Sequence, residues 1–403
     1  MTVSYEALLP GSPTPEALAQ TPPLPVFAKA SIDFAQALSS ELLKDRDIKA
    51  FPELVALAYW LRKANVERLG RTLAERIGDT IQHPRGTVFH IAPSNVDTIF
   101  VYSWFLSLLT GNRNIIRLPS KQSPQTDLLV QAVARVLSHP AHTELAQRTL
   151  LLRYAINDAI TARLSAVCDV RVIWGGDDTI RNVRQVPIPP HAIEVAFANK
   201  YSLAAIHIDQ WLSQPEAQRQ TLAQAFVNDA FAFDQMACSS PRMVVWVGAS
   251  ARLTQAAQDF WQRVEAILAQ SDDQLDDVDS VNKLMALDTL AIQSQVRHTP
   301  GANNRLTRSW LAEPALHVDL HCGAGLFFET HLPDLPALMP LLSRTVQTLS
   351  YAGFERETLH QFLSAPGLAG IDRVVPFGQA LTFNEAWDGY DLLRTFLRQV
   401  TLQ

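Results

Sequence analysis

From Gly86 onward the hydrophobic period switches repeatedly between a strand pattern and a helix pattern, and this alternation constrains the fold more than any other feature. Gly86–Ala92 is a continuous apolar run of strand length. Asp97–Leu109 has helical patterning and ends on Gly111-Asn112, which is C-cap chemistry. Asn114–Pro119 is a second strand and Asp127–Leu137 a second helix. Leu150–Tyr154, Asp169–Trp174 and Ala192–Phe197 continue the series, with helices between them. Strands separated by helices of this length make βαβ units, hence a doubly wound α/β layer with a mostly parallel sheet. Such sheets take ligands in the loops beyond the carboxyl ends of their strands.

A second alternation follows. Met243–Val247 is a strand, and Ser250–Leu268 and Val281–Ser294 are helices. Leu316–Leu320, Leu326–Thr330 and Arg373–Phe377 are further strands. Two such series in 403 residues predict two α/β domains, with the cleft between them as the default ligand site. The composition shifts near 235–240. The expected division is therefore an N-terminal arm and helix over 1–50, a first α/β domain over 51–235 and a second over 236–378. Residues 379–403 form a C-terminal segment that either returns to the first domain or makes an oligomer contact. Before Pro25 the chain carries Pro10, Pro13, Pro15, Pro22, Pro23 and Pro25, which predicts an extended arm rather than a folded layer. Helices are expected over Ile32–Leu43 and Pro52–Ile77.

Composition excludes several classes of function. Lys and Arg number 34 against 40 Asp and Glu, a net charge of −6, where a dedicated nucleic-acid binder carries a basic surface. The most apolar stretch, Ile99–Leu109, falls well short of the roughly 18 residues a membrane span needs. The first cation is Lys29, so the start lacks the basic region of a secretory signal. Three cysteines, Cys168, Cys238 and Cys322, are an odd and sparse set that argues against a disulfide framework and for a reducing cytoplasm.

Four segments can carry chemistry. Phe233-Asp-Gln-Met-Ala-Cys-Ser-Ser-Pro-Arg242 sets Cys238 among small and polar residues just before a strand, and a thiolate is the best protein nucleophile for a thioester or an aldehyde. Taken alone, Cys238 also fits a small buried hydrophobe, as Cys168 does better. Ile91-Ala-Pro-Ser-Asn-Val-Asp97 puts Asn95 in a strand-to-helix loop, where an amide can face a developing oxyanion or simply cap a helix. Gly111–Ser120 ends a strand with Arg117 and Ser120, where a phosphate or ribose can sit. Trp174-Gly-Gly-Asp-Asp-Thr179 puts Gly175 and Gly176 at a helix start, where main-chain amides can cradle a pyrophosphate. Cys322, in His321-Cys-Gly-Ala-Gly325, is a reserve nucleophile. A zinc site would need more ligands at defined spacing, so no metal is expected. His90, near the end of the first strand, is the group suggested as proton handler, or else a structural strand residue.

The order of these segments resembles the aldehyde dehydrogenase superfamily. Within it the chain is similar to the acyl-CoA reductases of the bacterial bioluminescence type, the LuxC-like fatty acid reductases. The likeness runs from Gly86 to Arg242 and more weakly through Val346-Gln-Thr-Leu-Ser350, Asp372–Gly378 and Trp387–Asp391. It implies an aldehyde-dehydrogenase-like fold of two doubly wound α/β domains, the first binding the cofactor and the second carrying the nucleophile, with the active site in the cleft. It makes Cys238 the nucleophile, with Asn95 and the Cys238 amide as oxyanion donors. Arg117 stands where the family has a lysine touching the adenosine ribose, and Ser120 where NAD-preferring members have a glutamate. That pair favours NADPH, with NADH the alternative. Gly175 and Gly176 match the loop beside the pyrophosphate. The hydrolytic members' Glu-Leu-Gly-Gly-Lys corresponds to Ala196-Phe-Ala-Asn-Lys200, which lacks the water-activating glutamate, although Glu194 lies two residues upstream.

The resemblance thus implies NADPH-dependent reduction of an acyl-CoA or acyl-carrier-protein thioester to a fatty aldehyde through a cysteine acyl-enzyme. Acyl-transfer enzymes as partners and a homo-oligomer are implied with it. The alternatives are an NAD(P)-dependent aldehyde dehydrogenase forming a free acid, and a non-catalytic scaffold in an acyl-transfer complex.

Overall fold

A computed structural model of the chain describes residues 5–93, 98–270, 275–301 and 304–402. The chain divides into two units, Met1–Ala198 with Phe383–Gln403, and Asn199–Thr382.

The first unit is built on strands β1 (Glu6–Ala7), β2 (Ile81–Pro84), β3 (Thr87–Ile91), β4 (Arg113–Leu118), β5 (Thr149–Arg153), β6 (Val170–Trp174) and β7 (Ile193–Phe197). Its main sheet runs β1-β5-β4-β3-β6-β7, parallel throughout except for β1 at the edge. Winding starts at β3, goes outward through β4 and β5, then returns to the other side of β3 with β6. The switch point of this doubly wound sheet is therefore between β3 and β6. All five residues of β3 are buried, as are those of β6. The helix Ile99–Leu109 is apolar almost all round and buried along most of its length, which marks a central packing helix rather than a surface one.

The second unit contains β8 (Tyr201–His207), β9 (Pro241–Val247), β10 (Val296–Pro300), β11 (Thr307–Leu311), β12 (Leu326–Leu332), β13 (Val346–Ala352) and β14 (Arg373–Pro376). Its sheet order is β10-β11-β12-β9-β8-β13-β14, parallel from β11 to β14 with β10 antiparallel at the edge. Both faces are covered. One carries Tyr201, Leu203, Met243, Val245 and Phe328. The other packs Trp211, Phe226, Phe260 and Trp261 against Ala204, Val244 and Trp246. Both indole N–H groups of Trp246 and Trp261 donate to Glu329 Oε2, at 2.9 and 2.7 Å. Burial pushes the Glu329 carboxyl above its ordinary value, so these donors satisfy a group that water cannot reach.

The C-terminal segment rejoins the first unit. It adds β15 (Ala386–Trp387), which pairs with β16 (Tyr390–Asp391), and β17 (Leu397–Val400), which pairs antiparallel with β2. Phe383 stacks on Tyr102 at 4.2 Å, and buried Glu385 is bonded by Arg76 at 3.1 Å.

Several expectations are corrected. The division falls between Ala198 and Asn199, not at 235–236, because β8 hydrogen-bonds to β9 and β13 and so belongs to the second sheet. The second break is at Phe383 rather than 379. The proline-rich arm is a folded layer. Thr14 caps a helix over Pro15–Gln20, with Pro15 at its first turn, and Leu18 is wholly buried. Burying that one leucine is worth about 2 kcal/mol, and Pro15 sits in the first turn, where its missing amide proton costs no helix bond. The helix expected over Pro52–Ile77 is two, Pro52–Trp60 and Lys63–Ile77, broken where Arg62 turns extended. Leu316–Leu320 is not a strand but ends in a 3-10 turn over Val318–Leu320.

Candidate active site

In the first unit the described sequence-derived residues lie at the carboxyl ends of β4 and β6, the strands on either side of β3. Arg117 is next to last in β4, and Ser120 follows it. Arg117 Nη2 and Ser120 Oγ both donate to the Tyr154 carbonyl, at 3.4 and 3.1 Å. The Arg117 guanidinium also lies over the Tyr154 ring at 5.0 Å, while its Nε is buried with no hydrogen-bond partner among the described residues. Gly175 and Gly176 follow β6, and Gly176 is the N-cap of the helix Asp177–Arg184, with no side chain capping it. Ser94–Asp97, and with them Asn95, lie outside the described residues.

His90 is no proton handler. It is fully buried in β3, with Nδ1 3.1 Å from Ser103 Oγ and Nε2 3.1 Å from Asn114 Oδ1. Burial pulls its pKa down to about 4, so the ring is neutral. Glu194 is equally committed: Arg171 Nη2 bonds Oε2 at 2.6 Å and Arg184 Nε bonds Oε1 at 2.7 Å.

In the second unit the cysteine segment lies at the amino ends of the strands, opposite to the carboxyl-end placement expected from sheet topology. Cys238 precedes β9. Ser202, Gln347 and Arg242 are the second residues of β8, β13 and β9. The turn before the cysteine is wound left-handed at three successive residues, Phe233, Asp234 and Gln235, with φ of 54°, 51° and 64°. Such a run costs on the order of 1 kcal/mol or more per residue. Buried Gln235 holds it, donating through Nε2 to the carbonyls of Pro241 and Leu326 at 2.9 and 3.1 Å. The neighbouring turn holds it too, since Ala324 N donates to the Asp234 carbonyl at 2.9 Å. That approach requires glycine at 323. Its φ is +73°, and a Cβ there would stand 2.5 Å from the Asp234 carbonyl oxygen.

Cys238 is half-buried and in no disulfide. Gln347 Nε2 donates to its Sγ at 3.5 Å, and Ser202 Oγ donates to its carbonyl at 2.6 Å. Arg242 interacts electrostatically with the thiol and donates to the Lys200 carbonyl at 3.1 Å. Burial and the Arg242 charge push His321 down to about 2, so it is a neutral ring. Burial disfavours the thiolate at the other two cysteines. Burial pushes Cys168 up to about 12 and raises Cys322, whose thiol nearby Lys283 only partly relieves. Gln347 was within a segment noted in the sequence but had no role there. Only the fold shows that β13 lies beside β8 and brings it to the cysteine.

Comparison with known proteins defines first the class of fold. Lactaldehyde dehydrogenase from Escherichia coli superposes with a TM-score of 0.66 at 12% identity, covering 96% of this chain and 87% of that one. A benzaldehyde dehydrogenase from Corynebacterium glutamicum gives 0.63 at 12% identity, covering 93% and 84%. The fold is that of the aldehyde dehydrogenases.

The family model described as acyl-CoA reductase (LuxC) matches residues 68–308, and the chain belongs to that family. Two curated relatives are similar over part of their length. The long-chain acyl-protein thioester reductase of Aliivibrio fischeri is 27% identical over 169 residues, and long-chain acyl-protein thioester reductase 2 of Photobacterium leiognathi 26% over 168. In each case the match covers 41% of this chain and a third of the relative. Among the described residues no helix is long and apolar enough to cross a membrane.

Proposed function

We propose that this chain reduces a long-chain acyl thioester to the aldehyde, with a nicotinamide nucleotide as reductant and Cys238 as nucleophile. The observation that carries the reading is the Cys238 segment. Its thiol accepts an amide N–H and adjoins an arginine, while Glu194, the carboxylate nearest the hydrolytic enzymes' base position, is locked between Arg171 and Arg184.

The first unit fits a dinucleotide. Arg117 has a buried Nε without a described partner, and the helix after Gly175-Gly176 starts with no side-chain cap, so its main-chain amides suit a pyrophosphate. Arg117 and Ser120 would hold the adenosine ribose, and Arg117 beside a neutral serine suits the 2′-phosphate of NADPH better than a glutamate would. When bound, NADPH supplies the hydride that reduces the acyl carbon.

The chain's own residues do the rest. The Cys238 thiolate attacks the thioester carbonyl, forming a C–S bond and a tetrahedral oxyanion held by Asn95 and the Cys238 amide. Collapse expels the carrier thiolate and leaves an acyl–Cys238 thioester. After hydride addition the same donors hold the thiohemiacetal oxyanion. Its collapse releases the aldehyde and regenerates the Cys238 thiolate, while the departed carrier thiolate takes up one proton from solvent. No step needs an activated water, in keeping with a committed Glu194. The donor is an acyl-CoA or an acyl-carrier protein, supplied by acyl-transfer partners.

The test is intact-mass measurement after mixing the protein with acyl-CoAs of graded length, followed by NADPH. An acyl adduct on Cys238 that disappears as aldehyde forms supports the reading. Free acid formed from aldehyde without added thiol would favour the aldehyde dehydrogenase alternative.

A further inference from the structure

The Cys238 segment stands apart from the sites where proteins usually activate a thiol. It follows the helix Glu216–Phe231 rather than preceding one, and the next helical turn begins at Ser250. The cysteine's own segment therefore opens no helix N-terminus onto the sulfur, and what it is seen to receive are side-chain contacts.

The start of β13 supplies one. Pairing with β8 is regular from Leu349 onward but slips between Val346 and Leu349, so Gln347 and Thr348 form an irregularity in the strand. Pairing of β8 with β9 also slips, between Ser202 and Leu203. Such bulges re-aim side chains next to functional sites. Here they close a network around one cysteine. Thr348 N donates to Ser202 Oγ at 3.2 Å, Ser202 Oγ donates to the Cys238 carbonyl at 2.6 Å, and Gln347 Nε2 donates to Cys238 Sγ at 3.5 Å. Thr348 Oγ1 donates to Gln347 Oε1 at 3.3 Å, which fixes the amide with its N–H side toward sulfur. Gln347 is wholly buried, and its carbonyl is anchored by Asp372 N at 2.7 Å.

We infer that Gln347 is a positioning residue whose amide holds the Cys238 sulfur in one orientation and stabilises it as the thiolate. This rests on Cys238 being the nucleophile of the reaction proposed above. A buried amide donor aimed at sulfur strengthens its bond when the sulfur ionises, because a charged acceptor binds a given N–H more strongly than a neutral one. The other titratable groups at these strand starts are Arg242 on the cysteine's own segment, Tyr201 on β8, His321 before β12 and the Lys200–Asp372 ion pair at 2.9 Å. His321 stays neutral, and burial drives the Tyr201 phenol upward. A titration between pH 6 and 9, a window spanning the ordinary thiol value, therefore reads the cysteine.

The experiment is alkylation of the full chain by iodoacetamide across that pH range, followed on the Cys238 peptide by mass spectrometry. Wild type is compared with Gln347→Leu and the nearly isosteric Gln347→Glu. The leucine removes the donor, and its midpoint rises by about one pH unit, slowing alkylation at pH 7 on the order of tenfold. The glutamate puts a carboxylate against the sulfur and raises the midpoint further. Midpoints of both variants within a few tenths of a unit of wild type would overturn the inference. So would a wild-type midpoint at or above that of a free thiol, which stays readable if neither variant folds. No thioester or cofactor enters this measurement. Full activity in Cys238→Ala would instead sink the assigned reaction, so the two ideas fail separately.

Discussion

The two units place their chemistry at opposite ends of their sheets. In the first, Arg117, Ser120 and the Gly175-Gly176 pair follow their strands; in the second, Cys238, Ser202, Arg242 and Gln347 precede or open theirs. In parallel β–α units the helix N-termini gather at the carboxyl ends, so main-chain amides there are ready to meet an anion. The amino ends lack that field. What the second unit offers instead is built from side chains: the Gln347 amide on sulfur, the Ser202 hydroxyl on the cysteine carbonyl and the Arg242 charge nearby. On the reaction proposed above, the contrast would give each end its own task, backbone dipoles for a dinucleotide and a tailored set of donors for a thiolate.

The strongest challenge to this contrast is Cys238→Ala. Aldehyde formation from an acyl-CoA should fall by more than about 10³-fold, because a covalent route has lost its nucleophile. Cys322→Ala, measured in the same assay, should keep most of the activity. Equal losses in the two variants would move the chemistry to the wrong turn.

The next prediction concerns stability and the first unit alone. His90 is buried neutral, with its pKa depressed from 6.5 to about 4. Its contribution is fully present above pH 6.5 and is lost as pH falls toward 4, because the unfolded chain takes the proton first. The loss is on the order of 3 kcal/mol. Urea unfolding followed from pH 7 to pH 4 should show that slope in wild type and a shallower one in His90→Gln.

A smaller effect is expected at the turn that props the cysteine. Gly323→Ala puts a methyl group 2.5 Å from the Asp234 carbonyl at a φ of +73°. It should lower stability by about 1–3 kcal/mol and slow Cys238 acylation in intact-mass experiments. Smallest is Arg117→Ala, which should raise KM for NADPH about tenfold and KM for NADH much less, by loss of a phosphate contact. Equal shifts for the two nucleotides would leave Ser120 and Arg117 as structural partners of Tyr154.

The first sheet was legible because its strands are short apolar runs bounded by Gly, Pro and Asn, each a local signal. Thr87–Ile91, Arg113–Leu118 and Val170–Trp174 lie within two residues of their expected positions. Tyr201–His207 and Val346–Ala352 were not read as strands. The first follows β7 after only three residues, with no helix between, so spacing alone did not separate it. The second carries Gln347, Thr348 and Ser350, which dilute its apolar pattern although all three are buried. Those two strands set the domain division, so the boundary was placed late. The cysteine was visible from its own segment, whereas its partner 109 residues away became visible only through the pairing of β13 with β8. The helix at Pro15 was hidden because six prolines read as an arm, although proline is welcome in a helix's first turn.

β17 is the final strand of the chain, and its partner β2 lies more than 300 residues earlier. During synthesis β2 therefore leaves the ribosome long before anything exists to pair with it, while the intervening second unit is contiguous and can complete itself first. A nascent chain halted before Phe383 would hold a finished insert inside an unfinished host, with Arg76 lacking both Glu385 and Asp391.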